Sequence, residues 1–140
     1  MSKLAVIYWT GTGNTGAMAQ AVADGAKGAG AEAELLTVSE ISADAAAAYD
    51  KLALGCPAMG AEVLEEGEFE PFFTALEGKL SGKKVALFGS YGWGDGQWMR
   101  SWEEMCSNNG IRLACDSVIC CGAPDDGTSA ELMELGKALA

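Results

Sequence analysis

The chain of 140 residues contains no histidine. This removes both the side chain that most often works as a general base near neutral pH and the commonest metal ligand, so acid–base and nucleophilic catalysis are disfavoured. The five cysteines, at positions 56, 106, 115, 120 and 121, form no C-x-x-C pair, and no metal site has its ligands at usable spacing. An odd cysteine count without a disulfide framework reads as reduced, buried thiols packed like small apolar residues. Basic residues are also scarce: 9 Lys and Arg stand against 20 Asp and Glu, a net charge of −11. That balance argues against nucleic acid and anionic membrane surfaces, and for partner proteins with basic docking surfaces. No apolar run approaches the roughly 18 residues of a membrane span, and Met1-Ser2-Lys3 leading into a strand is unlike a signal peptide. A cytoplasmic protein acting as a monomer, away from membranes, is expected.

An apolar content of 49% excludes disorder, and 14.4 kDa fits one domain over 1–140, large enough to bury about two-thirds of its unfolded surface. Periodicity predicts strands over 3–9, 33–38, 51–56 and 84–90, with a fifth inside 112–121. Helices are predicted between them, over 15–30, weakly over 42–49, then over 69–80, 97–109 and from Thr128 to the end. Met18, Val22 and Ala26 fall on one face of the first helix, and Phe69, Phe72, Phe73, Leu76 and Leu80 on one face of the third. In the fourth, Trp98, Trp102 and Met105 are expected to turn inward, and Thr128 with Glu131 forms a capping box for the last. Strands alternating with helices predict an α/β fold, a doubly wound five-stranded parallel sheet in the order 2-1-3-4-5 with helices on both faces.

In that order ligands bind at the carboxyl ends of strands one, three and four, and the loops there are unlike ordinary connectors. The first, Thr10-Gly11-Thr12-Gly13-Asn14-Thr15, offers hydroxyls, an amide and glycines, with no basic side chain, ahead of a helix N-terminus. It suits a phosphate held by oriented dipoles. The same residues match G-x-G-x-x-G, but the second strand ends in Leu36-Thr37-Val38-Ser39 with no acid for a ribose. They also have the glycine spacing of a P-loop, but Ala17 and Met18 occupy the Lys and Ser/Thr places. The second loop, Pro57-Ala58-Met59-Gly60-Ala61-Glu62, carries an acidic tract behind its tip. The third, Ser90-Tyr91-Gly92-Trp93-Gly94, sets aromatics among glycines. Met59 and Trp93 could hold a flat ring between them, whereas Trp98 and Trp102, four apart on a helix, read as core; Trp9 fits either role.

These three segments resemble the flavodoxins, specifically the short-chain kind of clostridia and related anaerobes. The resemblance runs from strand one to about Asn109 and continues more loosely beyond. It implies the flavodoxin-like version of the fold, FMN as cofactor, and a low-potential one-electron carrier of anaerobic metabolism, cycling mainly between semiquinone and hydroquinone. By that resemblance residues 10–15 bind the phosphate, Met59 and Trp93 sandwich the isoalloxazine, Glu62 accepts from flavin N3–H, and the Gly60 carbonyl turns towards N5 on reduction. Ala61 departs from the Asp or Ser common in relatives.

The charges agree with this. A phosphate bound without Lys or Arg keeps its charge, and Glu62, Glu65, Glu66, Glu68 and Glu70 crowd one rim, with Asp95 near another. Repulsion of a few kcal/mol at an effective dielectric near 20 lowers the second-electron potential by order 100 mV, at about 59 mV per 1.4 kcal/mol. The alternative is a small FMN-dependent reductase acting on quinones or nitro compounds, but no insertion builds a substrate pocket. A phosphoacceptor receiver domain would need acids where Trp9-Thr10 and Cys56-Pro57 stand.

Overall fold

The computed structural model describes residues 3–11, 13–59, 63–92 and 94–140. Five strands, β1 (Lys3–Tyr8), β2 (Glu32–Thr37), β3 (Lys51–Gly55), β4 (Lys84–Tyr91) and β5 (Val118–Cys121), form a sheet in the order β2-β1-β3-β4-β5. Each neighbouring pair is parallel. Five α-helices connect or follow them: α1 (Asn14–Gly28), α2 (Ala43–Ala46), α3 (Phe69–Leu76), α4 (Gln97–Asn108) and α5 (Asp126–Leu139).

The central strands are apolar on both faces because both faces are covered. Alternate residues go to opposite sides: Ala5, Ile7, Leu52, Leu54, Val85 and Leu87 pack with α3 and α4, whereas Leu4, Val6, Ala53, Ala86 and Phe88 pack with α1 and α5. On the first side Phe69 and Phe73 stack, and the Trp102 ring meets both edge-on at 5.3 and 5.7 Å. On the second side α1 and α5 cross in close contact. A Cβ at Gly136 would fall 2.1 Å from the Val22 carbonyl oxygen, and one at Gly25 would fall 2.1 Å from that of Met133.

The fold and strand order agree with the sequence reading, and several local expectations are corrected. The last helix starts at Asp126, two residues before Thr128. Its cap is the Asp125 side chain, which accepts from the Thr128 N–H at 2.7 Å. The residue expected to cap is therefore the capped one, because Asp125 already has the extended backbone an N-cap requires. Met105 does not turn inward but is 36% exposed; α4 buries Trp98, Met99, Trp102 and Cys106, a face that Met105 misses. The thiols are not uniformly buried either. Cys56 and Cys106 are, Cys115 and Cys120 are half-buried, and Cys121 is exposed, near the end of the edge strand, with all five free. Among the described residues no helix is long and apolar enough to cross a membrane.

Candidate functional site

β1, β3 and β4 are neighbours, so the loops leaving their carboxyl ends converge. Between them lies a cleft of about 310 Å³ lined by Trp9, Gly11, Asn14, Pro57, Ala58, Met59, Ser90, Tyr91, Gly92 and Gly122. The size is at the lower end of the range for small-molecule sites, roughly 300–1,000 Å³. None of these wall residues is charged.

The loop after β1 is held by its own side chain: Thr10 Oγ1 accepts from the Gly13 N–H at 3.0 Å. Gly13 takes φ 96° as the N-cap of α1, a conformation that favours glycine, and no side chain caps the helix there. Among the described residues the first-turn N–H groups of α1 thus have no capping side chain, a suitable end for an anion. On that same turn Thr15 is buried and its hydroxyl has no hydrogen-bond partner among the described residues. A buried hydroxyl left unpaired is costly, and a phosphate oxygen would satisfy it. Terminal phosphate at the neutral, donor-rich α1 end and an apolar ring system in the cleft are what FMN presents, so the residues fit the group.

The loop after β3 returns on itself. Ala58 N–H donates to the Ser90 carbonyl at 3.0 Å, and Met59 and Val63 exchange backbone hydrogen bonds at 2.9 Å each way. Beyond it, Glu65 behaves differently from the rest of the acidic tract. Its carboxylate accepts from the N–H groups of Gly67, Glu68 and Phe69 at 2.8, 2.7 and 2.8 Å. Burial opposes its ionisation, but these three donors outweigh burial and hold the carboxyl below its ordinary range. Glu65 is therefore an ionised acid tied to the N–H groups that lead into α3, a helix-start role that coexists with its place in the acidic tract. Glu66, Glu68 and Glu70 are exposed. Asp95 is ion-paired with Arg100 at 3.0 Å, which weakens its share of the negative rim.

Trp9, left open by sequence, belongs to the site. It lines the cleft, its indole N–H donates to Glu68 Oε1 at 3.2 Å, and its ring lies so close to Gly11 that a Cβ there would meet it at 3.0 Å. Of the sequence-selected residues, Gly11, Asn14, Pro57, Ala58, Met59, Ser90, Tyr91 and Gly92 line the cleft. Thr10, Gly13 and Thr15 build the α1 end, and Gly94, at φ 80°, stands outside the lining. Thr12, Gly60, Ala61, Glu62 and Trp93 lie outside the described residues. Gly122, unselected, lines the cleft at φ 74° and donates its N–H to the Tyr91 carbonyl at 2.9 Å. Extending the carboxyl-end rule to the strand after β4 would have found it. Trp98 and Trp102 are both core, as expected.

Comparison with known proteins agrees with this geometry. The family model described as flavodoxin matches residues 6–136. A flavodoxin of Clostridium beijerinckii is 47% identical over 96% of this chain and 97% of its own length, and one of Megasphaera elsdenii is 45% identical over 96% of each. The solution structure of the two-electron reduced Megasphaera elsdenii flavodoxin superposes with a TM-score of 0.89, at 45% identity and 97% coverage of both chains. The fold, the cleft at its switch point and these near-full-length matches lead to one conclusion: the chain belongs to the flavodoxin family, FMN-binding proteins that carry electrons between redox partners and are not enzymes.

Proposed function

We propose that residues 1–140 form a single FMN-binding domain, a monomer of the cytoplasm, that carries single electrons at low potential. Thr10, Gly11, Thr12, Gly13, Asn14 and Thr15 hold the phosphate. Pro57, Ala58, Met59, Gly60, Ala61 and Glu62 form one wall of the flavin site and Ser90, Tyr91, Gly92, Trp93 and Gly94 the other, with Met59 and Trp93 flanking the ring. The observation that carries this reading is the Thr15 hydroxyl, buried on the first turn of α1 without a hydrogen-bond partner among the described residues, next to Asn14 in a cleft whose described lining is uncharged. When bound, FMN supplies the one-electron chemistry. The chain binds its phosphate with neutral donors, shields its ring with apolar walls, and surrounds it with uncompensated negative charge that disfavours the second electron. The same acidity, net −11, suits partners that present basic docking surfaces. The reductase reading is not favoured, because the relatives that match nearly the whole chain are flavodoxins.

Binding of FMN and of riboflavin to the apoprotein, compared by titration, tests the site. FMN should bind far more tightly than riboflavin, and Thr12→Ala with Asn14→Ala should erase most of that difference. Equal affinities in the wild type would remove the phosphate role from residues 10–15.

A further inference from the structure

Every polar atom of Cys56 is engaged at the root of the cleft. Its N–H donates to the Phe88 carbonyl at 3.2 Å, and its own carbonyl accepts from the Trp98 indole N–H at 3.1 Å. Gly89 passes so close that a Cβ there would lie 2.1 Å from that carbonyl oxygen. The sulfur, fully buried, has two further partners. It accepts from the Glu65 backbone N–H at 3.4 Å and donates to the Pro57 carbonyl at 3.5 Å. Pro57 is where the chain leaves β3 for the cleft, and Glu65 is where it returns to cap α3. Between them Pro57, Ala58 and Met59 make one wall of the cleft. Burial pushes the thiol up to about 12, so it stays protonated near neutrality and keeps both its donor and its acceptor.

We propose that Cys56 is a positioning residue for the flavin: its thiol joins the outgoing and returning ends of the 57–65 segment and so fixes how that wall meets the cofactor. This rests on the flavin site proposed above. The sulfur ties the two ends of the loop outside the cleft and does not line it, so its effect on the cofactor is transmitted through the backbone of Pro57 and Glu65. Oxidised and reduced flavins present different hydrogen-bonding edges, and a wall with fixed ends favours one over the other more strongly than a loose one. A cysteine that merely fills space would leave that preference untouched.

Cys56→Ala and Cys56→Ser separate these roles. Alanine leaves the Glu65 N–H without its acceptor, whereas serine retains a donor and an acceptor. The alanine variant should bind FMN about tenfold more weakly. At saturating FMN, at least one of its two one-electron potentials should move by about 59 mV, the equivalent of a tenfold change in one step. Hydrogen exchange at the Glu65 amide of the apoprotein should speed up, and serine should recover part of all three effects. If the alanine variant only melts earlier, with affinity and both potentials unchanged, the thiol is packing alone and the proposal is overturned while the flavin site stands. If the wild type itself takes up no FMN, the site reading fails and the proposal with it.

Discussion

Thr15 carries more of the functional argument than any other single residue. A hydroxyl buried without a partner costs stability, and this one stands on the turn where α1 offers its uncapped N–H groups. Thr15→Val keeps the shape and removes the polar atom. The apoprotein should be as stable as the wild type or slightly more so, while FMN affinity drops by roughly ten- to a hundredfold, the scale of a lost hydrogen bond to a charged group. Riboflavin affinity should hardly change. Calorimetric melting of the apoprotein and titration with both flavins read the three outcomes. A fall in apoprotein stability of more than about 1 kcal/mol would mean that Thr15 is satisfied within the protein and is not waiting for a phosphate.

At the scale of elements, Glu65 shows how the acidic tract divides its work. Its three accepted backbone hydrogen bonds start α3, whose Phe69 and Phe73 meet Trp102. Glu65→Gln should cost about 1 kcal/mol, within the range for losing a cap. Because the native carboxyl is held below its ordinary range, its contribution is complete above about pH 4.3, the usual glutamate value. It is lost as pH falls through the depressed native value. The wild type should therefore lose stability on the acid side more steeply than the variant, and denaturant melts between pH 3 and 6 would show it. Parallel curves would return Glu65 to the solvated rim. The α1–α5 crossing offers a second element-scale test. Gly136→Ala places a Cβ 2.1 Å from the Val22 carbonyl oxygen, an overlap that helix backbones relieve only by separating, and should destabilise by about 1–3 kcal/mol. A variant as stable as the wild type in the same melts would show that the helices do not approach so closely.

The elements themselves were legible because their cues are local and repeated. The unbroken apolar runs of β1, β3 and β4 mark strands covered on both faces, the aromatic face of α3 follows from its period, and strand order follows from right-handed crossovers in a chain of this length. What escaped involved choices between near-equivalent local partners. Asp125 and Thr128 are both good capping residues, and only the backbone of Asp125 settles which one caps. Glu65 reads as one more acid in a run until the chain folds back so that three N–H groups point at it. Trp9 joins the cleft through contacts between strands distant in sequence, which no local pattern carries, and Gly122 was reachable only by carrying the carboxyl-end rule on to β5.

For the whole molecule, charge and topology act together. Lys3, Lys51 and Lys84 begin β1, β3 and β4 and so stand at the amino end of the sheet, opposite the cleft. Glu66, Glu68 and Glu70 are exposed beyond the loop that walls it. On the docking proposed above, electron transfer to a basic partner should slow as salt rises and the Debye length shrinks to about 8 Å at 0.15 M. Reversing Glu66 and Glu70 should flatten that dependence in stopped-flow measurements, without breaking the Glu65 cap or the Trp9–Glu68 bond. A wild-type rate indifferent to salt would mean apolar docking. Whether this fold holds FMN so as to separate its two electrons is read by a potentiometric titration of the holoprotein followed by flavin absorbance. Two resolved waves should appear, each with the one-electron slope of about 59 mV per decade, the second at the lower potential. A single wave at about 30 mV per decade would show both electrons entering together and would contradict that separation.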